Sequence, residues 1–233
     1  MYDRFGDGQP SPEALRNYLG WAYGEWQRPP LYVLLVGDGS SDPKRYQPGT
    51  PPTLIPPYLA EVDPWAGEVA ADNRFVAVDG PDLLPDMFIG RLPVNSPDEL
   101  AVVVAKILSR ETQAVFPGRA ILVSDNPDGA GNFHQFIGQI RQEHFDPSWT
   151  VPMLAFDPQA GPAAAFRRSL LEALDAGSDL VVYAGHASIH QWGAENFIHL
   201  DDLPSLANAA RLPVVLEMTC VTAAFQVPAF PTL

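Results

Sequence analysis

Apolar runs of strand length recur along this chain, each closed by glycine or a polar residue. "LYVLLVG" (31–37) is continuous and apolar, the pattern of a strand buried on both faces. "RFVAVDG" and "DMFIGRL" predict two further strands. "SPEALRNYLGWAYGEW" and "SPDELAVVVAKILSRE" predict helices, each opened by a serine cap with proline at the first helical position. After Pro117 and Gly118 the pattern becomes regular. Strands "RAILVSD", "TVPMLAF", "SDLVVYAGH" and "LPVVLEMTC" alternate with helices "GNFHQFIGQIRQEH", "GPAAAFRRSLLEALDAG" and "LDDLPSLANA". Such alternation implies an α/β fold with a mostly parallel sheet covered on both faces. An N-terminal α/β subdomain is expected over residues 1–117 and a second subdomain over 118–233.

Composition narrows the function classes. The net charge of −14 argues against a nucleic-acid or anionic-membrane surface, which needs clustered Lys and Arg. No apolar stretch reaches the roughly 18 residues of a membrane helix. The N-terminus lacks a basic start followed by an apolar block, so no signal peptide is read there. The 25 prolines gather in connections and predict long ordered loops. The chain stops soon after Cys220 without a visible closing element, and is expected to be a segment of a longer protein.

The strand ends carry the chemistry. The four apolar runs of "YVLLVG", "AILVS", "LVVYAG" and "VVLEMT" are followed by Asp38, Asp125, His186 and Cys220. Ligands of open parallel sheets bind beyond the carboxyl ends of the strands. Parallel strands would therefore bring a carboxylate, an imidazole and the only thiol of the chain to one edge. Those are the parts of a cysteine nucleophile site, in which the thiolate attacks and histidine transfers protons. A buried free cysteine that merely packs is the competing reading of Cys220.

"VVYAGHASIHQWG" followed by "LEMTCVTAAF" resembles the gingipain family of cysteine peptidases, whose fold is that of caspases and legumains. The matching residues are Gly185-His186, Trp192-Gly193, Cys220 and Phe225. "YVLLVGDGSSDP" and "PDMFIGRLPVNSPDELAVVVAKILSRE" are similar to further stretches of that family, so the likeness runs from Tyr2 to Phe225. The resemblance implies a caspase-like three-layer sandwich and an endopeptidase acting on polypeptides, with the catalytic subdomain incomplete at its C-terminus. Cys220 would attack the scissile carbonyl and His186 would protonate the leaving amine. The N–H groups of Cys220 and Ala187 would hold the oxyanion, Asp125 would orient the histidine, and Trp192 would line the substrate pocket. The chemistry requires no cofactor; a structural calcium ion and an extracellular or cell-surface location are further implications. There are departures. Ala187 replaces a glycine, and Ala223 and Ala224 stand where a glycine and an acidic residue are usual. Gly131 or Asn132 takes the place of the aspartate that selects arginine substrates. A non-catalytic binding or scaffold domain on the same fold is therefore the alternative.

Other groupings bear different chemistry. His186 and His190, with Glu195, His199 and Asp201, offer zinc-type donors and a metal-dependent hydrolase as a second alternative, although a loop does not fix them to a shared face. Asp72, Asp79, Asp82 and Asp86 are the calcium candidates, set against ordinary turn chemistry. "GDGSSD" lacks the glycines and the lysine of a phosphate loop. Glu217 lies within an apolar strand and needs a partner, with Arg91 or another arginine expected.

Overall fold

The computed structural model describes residues 1–64, 67–112, 118–209 and 211–233. The chain forms two compact units: Met1–Val103 with Ala224–Phe230, and Val104–Ala223 with Pro231–Leu233. The boundary expected at Pro117 lies outside the described residues.

The first unit begins with a short helix α1 (Tyr2–Phe5) and helix α2 (Pro12–Glu25). Ser11 caps α2 by accepting the Ala14 N–H (3.1 Å), and Pro12 opens it. Strand β1 (Tyr32–Val36) is followed by an antiparallel pair, β2 (Leu59–Asp63) and β3 (Gly67–Ala70). Strand β4 (Phe88–Leu92) pairs with β1 in parallel, and helix α3 (Pro97–Glu111) contains the division between the units. Leu15 and Leu19 of α2 pack with Leu35 of β1 and with Phe75, Val76 and Met87.

Two sequence expectations are corrected here. "RFVAVDG" is not a strand: Asp72–Phe75 is one turn of 3-10 helix. The Asp86 carboxylate accepts the Val78 and Asp79 N–H groups (2.7 and 2.8 Å), donors that a strand would give to its neighbour. β1 is a strand but is not buried on both faces. Its side chains alternate, and Tyr32 and Leu34 are exposed, at 72% and 61%.

The second unit realises the alternating pattern: β5 (Ala120–Ser124), α4 (Phe133–His144), β6 (Met153–Ala155), α5 (Ala163–Asp175) and β7 (Leu180–Ala184). Short strands β8 (Ala187–Ser188), β9 (Gln191–Trp192) and β10 (Ile198–His199) form a small antiparallel sheet. "LDDLPSLANA" forms a 3-10 segment, Leu200–Ser205, rather than an α-helix; Pro204 lies within it. Strand β11 (Val214–Met218) completes a parallel sheet of order β11-β7-β5-β6.

Helices cover both faces of the sheet at β5 and β7. Ile137 of α4 packs on Leu122, Val182 and Ala184. Leu170 and Leu174 of α5 pack with Ile121, Val123, Val181 and Tyr183. Alternate β5 residues thus serve opposite helices, which is why the whole strand is buried and its sequence is uniformly apolar. Each such side chain contributes roughly 1.5–3 kcal/mol of burial free energy. The result is a three-layer α/β/α unit with one chemically distinct edge, the carboxyl ends of β5, β7 and β11.

Candidate active site

Register places the three predicted residues at that edge. Ser124 pairs with Ala184, and Ala184 with Met218, so β5, β7 and β11 end level. Asp125 follows directly, and His186 and Cys220 follow one residue later. The ladder continues past the strands: Asp125 donates its N–H to the Ala184 carbonyl (3.0 Å) and Gly185 to that of Met218 (3.4 Å). Cys220 is exposed to solvent, not buried as a packing residue.

The His186 loop is fastened on several sides. Its carbonyl accepts the Tyr183 hydroxyl (2.5 Å) and the Gly193 N–H (2.7 Å). Burial raises the Tyr183 pKa, so the hydroxyl remains a neutral donor. Gly185 must be glycine, because a Cβ there would collide with the Asp125 side chain and the Tyr183 hydroxyl. The Asp125 carboxylate is buried and accepts two backbone N–H groups, from Asn126 (2.8 Å) and His186 (3.2 Å). Burial raises its pKa against the pull of those two donors.

The imidazole has a different carboxylate partner from the one expected. Asp128 Oδ2 lies 2.8 Å from His186 Nε2, and the Phe133 ring meets the imidazole edge-on at 5.4 Å. Asp125 therefore holds the loop's backbone, while Asp128 holds the ring. Asp128 is itself fixed: its Oδ1 accepts the Ala130 N–H (2.8 Å), and its backbone bridges to Gly131. The Ala130 N–H and then His186 lower its pKa. The sequence carries a signal for Asp128, a second aspartate in the turn "DNPDGAGN".

Cys220 is presented by a strained turn. Val221 has φ +47°, a region that β-branched side chains rarely enter, at a cost of about 1–3 kcal/mol. The Thr222 N–H donates to the Cys220 carbonyl (2.8 Å), closing a three-residue turn. Glu217 is not paired with arginine. Its Oε1 accepts the Trp192 indole N–H (2.8 Å) and its Oε2 the Thr222 hydroxyl (2.6 Å). Trp192, expected at a pocket wall, is 4% exposed and stacks on Tyr183 at 4.3 Å with an interplanar angle of 5°. Ala187, expected at the oxyanion, pairs with Trp192 across the β8–β9 hairpin.

The metal candidates do not converge. Asp72 is bonded twice to Arg91 (2.6 and 3.0 Å), which neutralises it. Asp86 and Asp82 accept nearby backbone N–H groups, and the Asp79 N–H is one of those held by Asp86. His199 Nδ1 accepts the Asp201 N–H (3.1 Å), and His186 faces Asp128. Among the described residues no three His, Cys, Asp or Glu side chains form a metal-binding group.

A model of peptidase family C25 matches residues 1–233. The chain belongs to peptidase family C25. Gingipain R2 of Porphyromonas gingivalis is 22% identical to it over 231 residues, covering 93% of this chain and 28% of that protein. Lys-gingipain of the same organism is 25% identical over 205 residues, covering 79% of this chain and 11% of that protein. The crystal structure of the Arg-specific cysteine proteinase gingipain R superposes with a TM-score of 0.70 at 20% identity. That match covers 97% of this chain and 48% of the gingipain R chain, so the C25 chain described here spans about half of it. The fold is gingipain-like and caspase-like, as the sequence predicts.

Proposed function

We propose that the protein is a cysteine endopeptidase with Cys220 as nucleophile and His186 as proton carrier. The single observation that carries this is the shared edge: an exposed thiol and a carboxylate-held imidazole follow neighbouring parallel strands that end level. With Nε2 engaged by Asp128, Nδ1 is the nitrogen left to exchange protons.

His186 Nδ1 takes the Cys220 thiol proton, and the thiolate attacks the scissile carbonyl, forming a C–S bond as the C=O π bond breaks to an oxyanion. The N–H groups of Cys220 and Ala187 stabilise that oxyanion, at roughly 3 kcal/mol per donor. His186 gives its proton to the amine as the C–N bond breaks. Water then cleaves the acyl-thioester, its proton passing to His186 and the carboxylate leaving as the thiolate reforms. Asp128 positions the ring, and Asp125 positions the loop that carries it.

The substrate is polypeptide, and an extracellular or cell-surface setting accords with the family. Selection of a basic side chain is not part of this proposal. Asn132 is neutral and caps α4 by accepting the Gln135 N–H (3.0 Å), while Gly131 has no side chain. Digestion of a peptide library, read by mass spectrometry, tests the proposal. Cleavage that disappears in Cys220→Ala and in His186→Ala is expected. Cleavage that survives Cys220→Ala would overturn Cys220 as the nucleophile, and no cleavage by the unaltered protein would overturn the proposal in favour of a non-catalytic domain.

A further inference from the structure

We infer that Glu217 is a positioning residue, whose two carboxylate oxygens fasten the Cys220 turn to the hairpin that follows His186. This rests on the reading of Cys220 and His186 as a working pair. Glu217 sits in β11, in register with Tyr183 of β7, three residues before the thiol. One oxygen reaches forward to Thr222, the residue that closes the strained turn at Val221. The other reaches sideways to Trp192. Trp192 is bound to the histidine side twice over. It pairs with Ala187, the residue after His186, and it stacks on Tyr183, whose hydroxyl holds the His186 carbonyl.

The chemistry at position 217 is specific. Two donors, an indole N–H and a hydroxyl, converge from the two sides, and a carboxylate offers one acceptor to each. An arginine partner would be expected if the carboxylate served only to balance charge. Thr222 and Trp192 are both buried, so the two donors reach the half-buried Glu217 from positions largely shielded from water. A turn holding a β-branched residue at positive φ persists only where its surroundings over-determine it. The Glu217–Thr222 bond is a side-chain restraint placed at that turn. The hydrogen bonds of the Asp125 and Asp128 carboxylates go to His186 and to their own loop, and among the described residues neither is hydrogen-bonded to the Cys220 turn.

Glutamine at 217 can keep both contacts, because the Thr222 hydroxyl can accept where it formerly donated. Alanine keeps neither. The experiment is the alkylation rate of Cys220 by iodoacetamide against pH, which reads one thiol because the chain has one cysteine. His186, carried at the end of the neighbouring strand, should make Cys220 react faster at neutral pH than a free thiol. In Glu217→Ala, measured on folded protein, the rate at neutral pH should drop at least about tenfold and its midpoint move toward that of His186→Ala. Glu217→Gln should retain the unaltered profile. Thr222→Val, which cuts only one of the two bonds, should fall between them and serves if Glu217→Ala does not fold. Glu217→Ala or Thr222→Val with an unaltered profile and only a lower melting temperature would make Glu217 merely structural, overturning the inference. An unaltered protein whose profile already equals that of His186→Ala would overturn the proposed pairing itself, and the inference with it.

Discussion

The His186 loop and the Cys220 turn leave neighbouring parallel strands, yet they are secured by different means. The His186 carbonyl accepts two donors, its N–H reaches Asp125, and its ring reaches Asp128. The backbone there is relaxed except for its dependence on Gly185. The Cys220 turn stores strain at Val221 and is restrained through Thr222 and Glu217. Under the proposed pairing, the imidazole is held by redundant hydrogen bonds, whereas the thiol is lifted into solvent by a costly turn beside the Glu217 carboxylate.

Substitutions break this contrast with graded effects. Trp192→Ala removes the indole that joins both sides, and should cost about 3–5 kcal/mol of unfolding free energy in urea titration. Gly185→Ala forces a Cβ against Asp125 and Tyr183. It should cost about 1–3 kcal/mol, with the loss expressed on the histidine side. Val221→Gly has the opposite sign. Relief of the left-handed strain, less the entropy cost of glycine, should raise stability by about 1 kcal/mol or less while slowing Cys220 alkylation. A loss of stability there would mean that the turn is not strained.

The smallest effects separate the two aspartates by pH. Asp128 has a lowered pKa in the fold, so the stability it contributes is present above the usual carboxylate range of about 4 and is lost as pH falls through its folded value. Asp125 has a raised pKa, so the folded state binds its proton more tightly. Its contribution therefore declines as pH rises from about 4 through the raised value. Asp128→Asn should flatten the acid limb of the stability profile, and Asp125→Asn should lift its mildly acidic to neutral part. Identical changes in both variants would contradict the division of labour between ring and backbone.

Much of this was legible in the sequence because strands and helices alternate regularly in the second unit from β5 to β7. β5 reads as an unbroken apolar run and is covered on both faces; β7 and β11 end at Ala184 and Met218, two residues short of the His186 and Cys220 at which the sequence pattern closes them. The first unit was less legible. The apolar run of β1 predicts a strand correctly but not how many of its faces are covered, since Tyr32 and Leu34 lie open. "RFVAVDG" has a strand's composition, yet the Asp86 side chain takes its donors, a contact between residues that spacing does not connect. At the site, sequence favours Asp125 over Asp128 because Asp125 ends the strand; the fold of the "DNPDGAGN" turn decides which carboxylate meets the ring. Glu217 shows the same limit. Its need for a partner is evident from the apolar strand around it, whereas the choice of Trp192 and Thr222 over arginine depends on the loops beyond the strand ends.

The most direct test of the whole account is chemical. Cys220 in the unaltered protein and in His186→Ala is alkylated at neutral pH, and the two rates are compared with that of a free model thiol. A rate above the model thiol that falls at least about tenfold on loss of the imidazole is the predicted result. Equal, slow labelling of both proteins would mean that the two strand ends do not form a working pair.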